Sequence, residues 1–169
     1  MRNLTIISIL IIFFSCNVSK QYENTTIEVN ANLIRTFDSI YVNFDSLKLK
    51  TYDVKISIKN KSEKPISFWI MTCSWEDNFI INNDYIQINS VDCDRNFPII
   101  TKLNSNDSIT YKTTLTKRNG TFGQSVKSTR FGFIFIDSTK CSSDNQYGEI
   151  IRDKSKQDII IWSNPLYLK

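Results

Sequence analysis

The sequence predicts an all-β fold, an antiparallel β-sandwich with one short helix near the C-terminus. Apolar residues recur with a period of two along most of the chain, which indicates strands because successive strand side chains point to opposite faces. Short polar segments typical of turns separate these runs, and only one segment has helical periodicity. Several short strands at this spacing, with little helix, are typical of a sandwich.

The strands of the first half are marked by alternation of apolar and polar residues. The two clearest alternating sets are Ile40, Val42 and Phe44, followed by Val54, Ile56 and Ile58. A turn at residues 60–65 precedes a further predicted strand at residues 66–72. The polar residues 82–84 divide two apolar runs and predict a hairpin, because Asn and Asp tolerate positive φ.

The second half adds strands and the helix. Two more alternating sets predict strands: Ile109, Tyr111, Thr113 and Leu115, then Phe131, Phe133 and Phe135. Ile134 and Ile136 occupy the other side of the last of these strands, so we expect it to be buried on both faces. Residues 144–152 predict a short helix capped by Asp144. The apolar run 159–162 predicts a central strand.

Two segments favour a particular kind of sandwich. Residues 54–66 contain an alternating strand, an Asn-Lys-Ser turn and a second strand after Pro65, and residues 103–109 lead from a polar loop into a strand. They resemble the B–C region and a later strand entry of bacterial immunoglobulin-like domains. The resemblance covers residues 50–137; it implies an immunoglobulin-like fold and carries over no functional residue.

The first 16 residues have the pattern of an exported lipoprotein. Arg2 places a positive charge near the terminus, and the apolar run from Leu4 to Phe14 is too short to span a bilayer. Residues 13–16 resemble a lipobox, in which a small residue, here Ser15, precedes a cysteine that is lipidated. With its Ile-, Lys- and Asn-rich composition, the chain resembles small Bacteroidota-type lipoproteins. We therefore expect a signal peptide at residues 1–15 and a lipid anchor on Cys16.

This organisation predicts where the rest of the chain lies. We expect a lipidated Cys and polar tether at residues 16–32, then a single β-sandwich domain at residues 33–169. Asn17 follows Cys16 where Asp often marks inner-membrane retention, so an outer-membrane position facing the periplasm is favoured. The net charge of +4 is mild and the basic residues are scattered, which argues against nucleic acid as a partner.

The cysteines predict one disulfide. Export places Cys73, Cys93 and Cys141 in an oxidising compartment, where three different bridges are possible. We favour Cys73–Cys93, because the segment between them is expected to form one hairpin that brings its ends together. Closing that loop stabilises by about 3 kcal/mol in the chain-entropy model. Zinc binding by the three thiols is less favoured, because their spacing matches no zinc motif.

The chain contains no histidine, which excludes Ser-His-Asp and Cys-His catalysis and the usual zinc and copper sites. Asp92, Asp94 and Asn96 have the spacing of the first three ligands of a calcium loop. Phe97 and Leu103 stand where that loop needs Gly and Glu, so a solvated turn is favoured and we expect no metal.

Two further chemistries are weighed against simpler interpretations. Glu76 and Asp77 would have to meet the carboxylates of the calcium-like segment, about 5–10 Å apart, to hydrolyse glycosides. Met71 and Cys73 are a soft-ligand pair that would suit copper, although without histidine a strand running into a disulfide is favoured. We expect no cofactor and no enzymatic activity.

The tryptophans supply the predicted binding surface. Trp69 and Trp162 lie in apolar runs and are expected in the core, whereas Trp75 lies in a polar loop and is expected to be exposed. The predicted function is a non-catalytic envelope module that binds a protein or glycan partner near Trp75, Asp92, Asp94 and Asn96. A structural lipoprotein assembling into a larger envelope complex and a His-independent hydrolase are the alternatives.

Overall fold

The structure, a computed structural model, describes residues 26–41, 47–90, 93–118, 126–154 and 160–168. Helix α1 spans Asp144–Arg152, and a 3-10 helix spans Trp75–Asn78. The strands are β1 (Ile27–Tyr41), β2 (Leu47–Asn60), β3 (Ile66–Met71), β4 (Phe79–Ile81), β5 (Ile86–Ile88), β6 (Pro98–Leu103), β7 (Ser108–Lys117), β8 (Ser128–Thr129), β9 (Phe131–Ile134), β10 (Ile160–Trp162) and β11 (Leu166–Tyr167). In these ranges no helix has the length and apolar character needed to cross a membrane.

The strands form an antiparallel sandwich, which confirms the all-β prediction. One sheet has the order β1-β2-β7-β5 and the other contains β10-β9-β4. Constant-type immunoglobulin domains pair strands A-B-E-D in one sheet and C-F-G in the other. In the first sheet, the order β1-β2-β7-β5 corresponds to A-B-E-D. In the second sheet, the order β4-β9-β10 corresponds to C-F-G. The strand order is therefore immunoglobulin-like.

The second sheet extends beyond these three strands through the pair β3–β6. The Trp69 amide donates to the Ile136 carbonyl at 2.9 Å, and the Ser138 amide donates to the Ser67 carbonyl at 3.1 Å. Strand β3 thus pairs with the segment that follows β9, while β4 pairs with β9 itself. The C position is one strand interrupted at residues 72–78, and β6 lies at the outer edge of this sheet.

The core lies between the two sheets, with β9 at its centre. Phe131 and Phe133 are fully buried, and the Phe133 ring lies 5.2 Å from that of Phe79 and 5.3 Å from that of Phe68. The opposite sheet contributes buried residues from β1, β2 and β7, namely Ile27, Val29, Ala31, Val54, Ile56, Ile58 and Leu115. Fully burying one such aliphatic or phenyl side chain contributes about 1.5–3 kcal/mol.

The outer face of β9 is covered as well, as its sequence predicts. Ile134 belongs to a second buried cluster with Trp69, Ile136, Cys141 and Tyr147, the last of which comes from α1. Helix α1 has the predicted bounds, but its N-cap is Ser143, whose Oγ accepts from the Gln146 amide at 3.3 Å. The expectation that Asp144 caps the helix is wrong; it lies in the first turn, where a negative charge interacts favourably with the helix dipole.

Strand β1 begins within the predicted tether, so the boundary at residue 33 is wrong. Ile27, Val29 and Ala31 are buried and alternate with the more exposed Glu28 and Asn30. Residues 27–31 do alternate between apolar and polar, but the alternation is short and the surrounding residues are polar. The composition of the segment is therefore typical of a tether, although residues 27–31 form a strand. The predicted strand residues Val42 and Phe44, together with the leader and Cys16, lie outside the described residues.

Two strand placements differ from the predictions. The runs divided by residues 82–84 do not form a hairpin, because β4 pairs with β9 and β5 pairs with β7. The turn crosses between the sheets, and Asn82 Oδ1 accepts from the Arg130 amide at 2.7 Å. Strand β10 is an edge strand in the described ladder β10-β9-β4, not a central one, and Trp162 is half-buried.

Glycines 132 and 148 give a matched pair of predictions for stability. A Cβ on Gly132 would lie 2.6 Å from Ile160 Cγ2 and 2.9 Å from Ile80 Cγ1, so Gly132→Ala is expected to destabilise by about 1–3 kcal/mol. Gly148 lies in α1 with no atom within 4 Å of the added Cβ, so Gly148→Ala is expected to stabilise by about 0.5–1 kcal/mol. Urea unfolding of both variants measures the difference, and equal effects would contradict this packing.

Candidate functional site

The disulfide Cys73–Cys93 joins the interruption of the C strand to the connection between β5 and β6. The pairing confirms the sequence prediction, with a Cα–Cα distance of 6.0 Å. The predicted reason is wrong, because β4 and β5, which lie between the two cysteines, belong to different sheets. Cys141 is a buried free thiol. The bridge holds residues 72–78 beside residues 93–97, and we call these two segments together the disulfide loop.

Asn96 organises the disulfide loop through its side chain. Its Oδ1 accepts from the Ser74 amide at 3.1 Å and from the Cys73 amide at 3.4 Å, and its Nδ2 donates to Ser74 Oγ at 2.8 Å. Next to it, the Thr72 amide donates to the Phe97 carbonyl at 3.0 Å. Asn96, predicted as a binding-surface residue, is therefore a structural residue whose oxygen is already occupied by two N–H donors.

The other members of the calcium-like segment do not converge on a site. Asp94 is exposed on the disulfide loop, and Asp92 lies outside the described residues. The two N–H dipoles that point at Asn96 Oδ1 oppose a cation at that oxygen. Within the part of the chain that the structure describes, no group of three or more Cys, Asp or Glu side chains is placed to hold a metal ion.

Trp75 is half-buried, so the expectation of an exposed ring is wrong. It lies on the 3-10 helix, stacks on Tyr111 with ring centroids 4.5 Å apart, and meets Phe79 edge-on at 5.6 Å. The ring packs against the core cluster that lies between the two sheets. Trp69 is buried in the second cluster, as predicted.

The stacked Tyr111 gives a prediction for alkaline pH. Burial raises the pKa of Tyr111 from its ordinary value of 10 to about 12. Because the folded state holds this proton more tightly, the resulting stability is fully present below pH 10 and is lost as pH rises toward 12. We expect Tyr111→Phe to lose less stability across that window than the wild type. Denaturant titrations at pH 9 and pH 11.5 measure this, and equal losses would contradict it.

The acidic residues of the 3-10 helix lie in different settings. Glu76 is buried, and its two carboxylate oxygens have no hydrogen-bond partner among the described residues. Asp77 instead meets Lys154, with Nζ 3.3 Å from Oδ1. The described carboxylates near the disulfide loop are thus one buried, one paired with a lysine and one exposed, rather than a facing pair across a cleft.

A buried network under the 3-10 helix was missed from the sequence. Asn78 is fully buried; its Nδ2 donates to the Trp69 carbonyl at 2.9 Å and to the Ile134 carbonyl at 3.3 Å. The Tyr147 hydroxyl donates to Asn78 Oδ1 at 2.7 Å. Burial and the nearby charges of Asp77 and Cys141 raise the pKa of Tyr147. The network links α1 to both parts of the interrupted strand and so fixes the base of the disulfide loop.

Beside the disulfide loop lies a sheet-edge segment with exposed apolar side chains on both faces of the strand, Phe97 and Ile99 on one face and Ile100 on the other. Phe97 is 54% exposed, Ile99 36% and Ile100 53%, and all three lie within four consecutive residues at the start of β6. We call these three residues the β6 surface. The other large apolar side chains that are exposed in the described residues, Ile34, Tyr85 and Tyr167, come from separate parts of the chain.

The backbone of β6 is open along one side. Ser67 and Trp69 of β3 bond to residues 136–138, so the alternate residues Phe68 and Ile70 face β6 and pair with Thr101 and Ile99. The residues between these, Ile100 and Lys102, therefore direct their N–H and C=O groups away from β3. No described segment pairs with this side of β6.

The sequence around Pro98 carries a signal for an edge position. The run Phe97-Pro98-Ile99-Ile100 is apolar at both odd and even positions, but it stands next to a polar loop and carries no alternation. Pro98 is the informative residue, since proline in strands is confined largely to edges and strand starts.

An all-β sandwich of the immunoglobulin-like type, with a disulfide-closed loop beside an open apolar edge, is the class that the fold and the site define. No protein family, curated protein or solved structure matches this chain. The functional argument therefore rests on the geometry of the β6 surface and the disulfide loop.

Loss of the disulfide is expected to weaken the domain strongly. The bridge closes a loop with a sequence separation of 20, which corresponds to about 3 kcal/mol in the chain-entropy model. The free energy of unfolding of the double variant Cys73→Ser, Cys93→Ser is expected to fall by that amount. Reduction of the wild-type disulfide is expected to give a similar loss. Denaturant unfolding with and without reductant measures both, and a loss below 1 kcal/mol would contradict the role of the bridge.

Proposed function

We propose that this chain is a non-catalytic envelope lipoprotein, anchored through Cys16, whose β-sandwich binds a protein partner through the β6 surface. The observation that carries the proposal is the exposure of Phe97, Ile99 and Ile100, on the two faces of an open sheet edge. An unpaired sheet edge that carries exposed apolar side chains is a ready site for association with another chain. The two isoleucines favour a protein over a glycan, because sugars stack on aromatic rings rather than on aliphatic side chains.

The setting of the β6 surface supports a recognition role. The Cys73–Cys93 bridge and the side-chain bonds of Asn96 hold the segment that leads into β6. A surface ordered before binding loses less conformational entropy on association, so more of the contact free energy remains as affinity. The alternative role, assembly into a larger envelope complex, would use the same surface.

Cross-linking in intact cells tests the proposal. A photoreactive amino acid replaces Phe97 in the full-length chain, and matched controls carry it at Ile34 and Tyr167, which are similarly exposed but lie on other strands. We expect a discrete cross-linked band at position 97 and at least tenfold less at the control positions. Equal labelling at the three positions, or none at position 97, would overturn the proposal.

The anchoring step has a separate test. Cys16→Ser is expected to move the protein from the membrane fraction to the soluble fraction, because buried acyl chains contribute about 0.8 kcal/mol per methylene. Mass spectrometry of the wild-type N-terminal peptide should show Cys16 as the first residue carrying acyl groups. An unacylated N-terminus in the membrane fraction contradicts lipid anchoring and leaves the β6 experiment unaffected.

A further inference from the structure

We infer that the side chain of Asn164 closes the edge of β1 to partner strands and so leaves strand addition to the β6 edge. Strand β1 is the longest strand in the described residues and lies at the edge of its sheet, with β2 as its one described neighbour. A long unpaired edge is a template for pairing with another chain, and natural proteins protect such edges. The inference goes beyond the proposed function, because it concerns an edge of the opposite sheet.

Four residues of β1 direct their backbone polar groups away from β2. The Lys61 amide donates to the Thr26 carbonyl at 2.7 Å, so Thr26 and every second residue after it bond to β2. The residues between them therefore direct their N–H and C=O groups outward, and these are Ile27, Val29, Ala31 and Leu33. The series ends at the β-bulge between Leu33 and Arg35, which disrupts pairing beyond that point.

Asn164 occupies the third of these four positions with its side chain. The Ala31 amide donates to Asn164 Oδ1 at 2.8 Å, and Asn164 Nδ2 donates to the Ala31 carbonyl at 3.0 Å. One residue of an added antiparallel strand would make the same two bonds. A carboxamide carries both an acceptor and donors, so it takes the place of that residue without offering a next one to extend the ladder.

The second sheet holds Asn164 in this position. On one side of it, the Ser163 amide donates to the Phe131 carbonyl at 2.8 Å, and on the other side Leu166 pairs with Thr129. Asn164 itself is exposed, so its side chain does not fill the core. Closure of the edge is the role that its two bonds to β1 indicate.

With this position occupied, the free part of the β1 edge is too short for a typical strand. Two outward residues, Ile27 and Val29, remain on one side of Ala31, and one outward residue remains between Ala31 and the bulge. A typical strand has about five to six residues and pairs through successive outward groups. On β6, by contrast, the outward groups of Ile100 and Lys102 have no partner among the described residues.

Photo-cross-linking of the full-length chain in intact cells tests the inference. A photoreactive amino acid replaces Asn32, which is exposed and adjacent to Ala31. The measurement is the fraction of the chain that shifts to higher mass, whichever chain is captured. We expect Asn164→Ala to raise this fraction at least tenfold above that of the chain with Asn164 intact. Unfolding midpoints above the assay temperature show that the variants fold, as expected for an exposed residue.

Two further variants separate closure of the edge from stability. Asn164→Asp keeps an acceptor for the Ala31 amide, loses the donor and adds a charge, and charged side chains themselves protect edges. Asn83→Ala removes comparable side-chain bonds, from the Tyr85 amide and to the Ser128 carbonyl, in a turn outside β1. We expect both variants to lose stability and to leave position 32 unreactive. Labelling in either at the level of Asn164→Ala would show that lost stability causes the reaction, which would overturn the inference.

The outcomes also separate this inference from the proposed function. If Asn164→Ala leaves position 32 unreactive while position 97 cross-links, closure by Asn164 is overturned and binding at the β6 surface stands. If position 97 does not react but Asn164→Ala makes position 32 reactive, the proposed function fails and the closure stands. Equally strong labelling of position 32 with Asn164 intact would show that the β1 edge is already in use, and the closure would be overturned.

Discussion

Phe133→Ala is expected to lower the free energy of unfolding by about 3–5 kcal/mol, a large share of the stability of a typical domain. Phe133 is fully buried at the centre of the core, where its ring meets those of Phe68, Phe79 and Phe135. Truncation removes the transfer free energy of the ring and leaves a cavity that the surrounding strands close only in part.

Phe97→Ala is the matched control for this substitution. It removes the same atoms from a ring that is 54% exposed, so the expected change lies within about 0.5 kcal/mol. Chemical unfolding of the two variants at one temperature measures the contrast. Similar losses for Phe97 and Phe133 would contradict the placement of the β6 surface outside the core.

Asn78→Ala is expected to cost about 3 kcal/mol. The substitution leaves the Trp69 and Ile134 carbonyls and the Tyr147 hydroxyl without their partner in a buried site. Each buried polar group left unsatisfied costs about 1–3 kcal/mol, so the sum is large even if water enters the gap.

Tyr147→Phe measures how much of this loss in unfolding free energy comes from the hydrogen bond between Tyr147 and Asn78. It removes only the hydroxyl that donates to Asn78 Oδ1, so we expect a loss of about 1–2 kcal/mol. The effects of the two substitutions are expected to be less than additive in the double variant, because both remove the same hydrogen bond. Full additivity in a double-mutant cycle would show that the two residues do not interact.

The fold was predictable from the sequence where local pattern and tertiary structure agree. The alternation around Val54–Ile58, the two-sided apolar character of Phe131–Ile134 and the helical spacing of Tyr147 each correspond to an observed element. The hairpin at residues 82–84 was not predictable in the same way. A turn sequence fixes local backbone geometry, but which sheet receives the next strand depends on contacts distant in sequence.

The candidate site was less accessible to sequence analysis. Trp75 lies in a polar loop, and only the fold brings Tyr111, from a strand of the other sheet, against its ring. Conversely, the run Phe97–Ile100 has the composition of a buried strand, and its exposure follows from the position of β6 at a sheet edge. Edge strands and central strands can have the same residue composition, because what distinguishes them is the number of neighbouring strands. The composition of this run therefore does not predict its exposure.

The central claim is that one side of β6 is open and serves as the docking edge. Amide hydrogen exchange, resolved by residue in the dilute, unlipidated domain, tests it most directly, because exchange reports which amides are hydrogen-bonded. We expect slow exchange at Ile99 and Thr101, whose amides face β3, and fast exchange at Ile100 and Lys102. Slow exchange at all four amides in dilute solution would mean that the chain itself already covers this edge, which would contradict an open docking edge on β6.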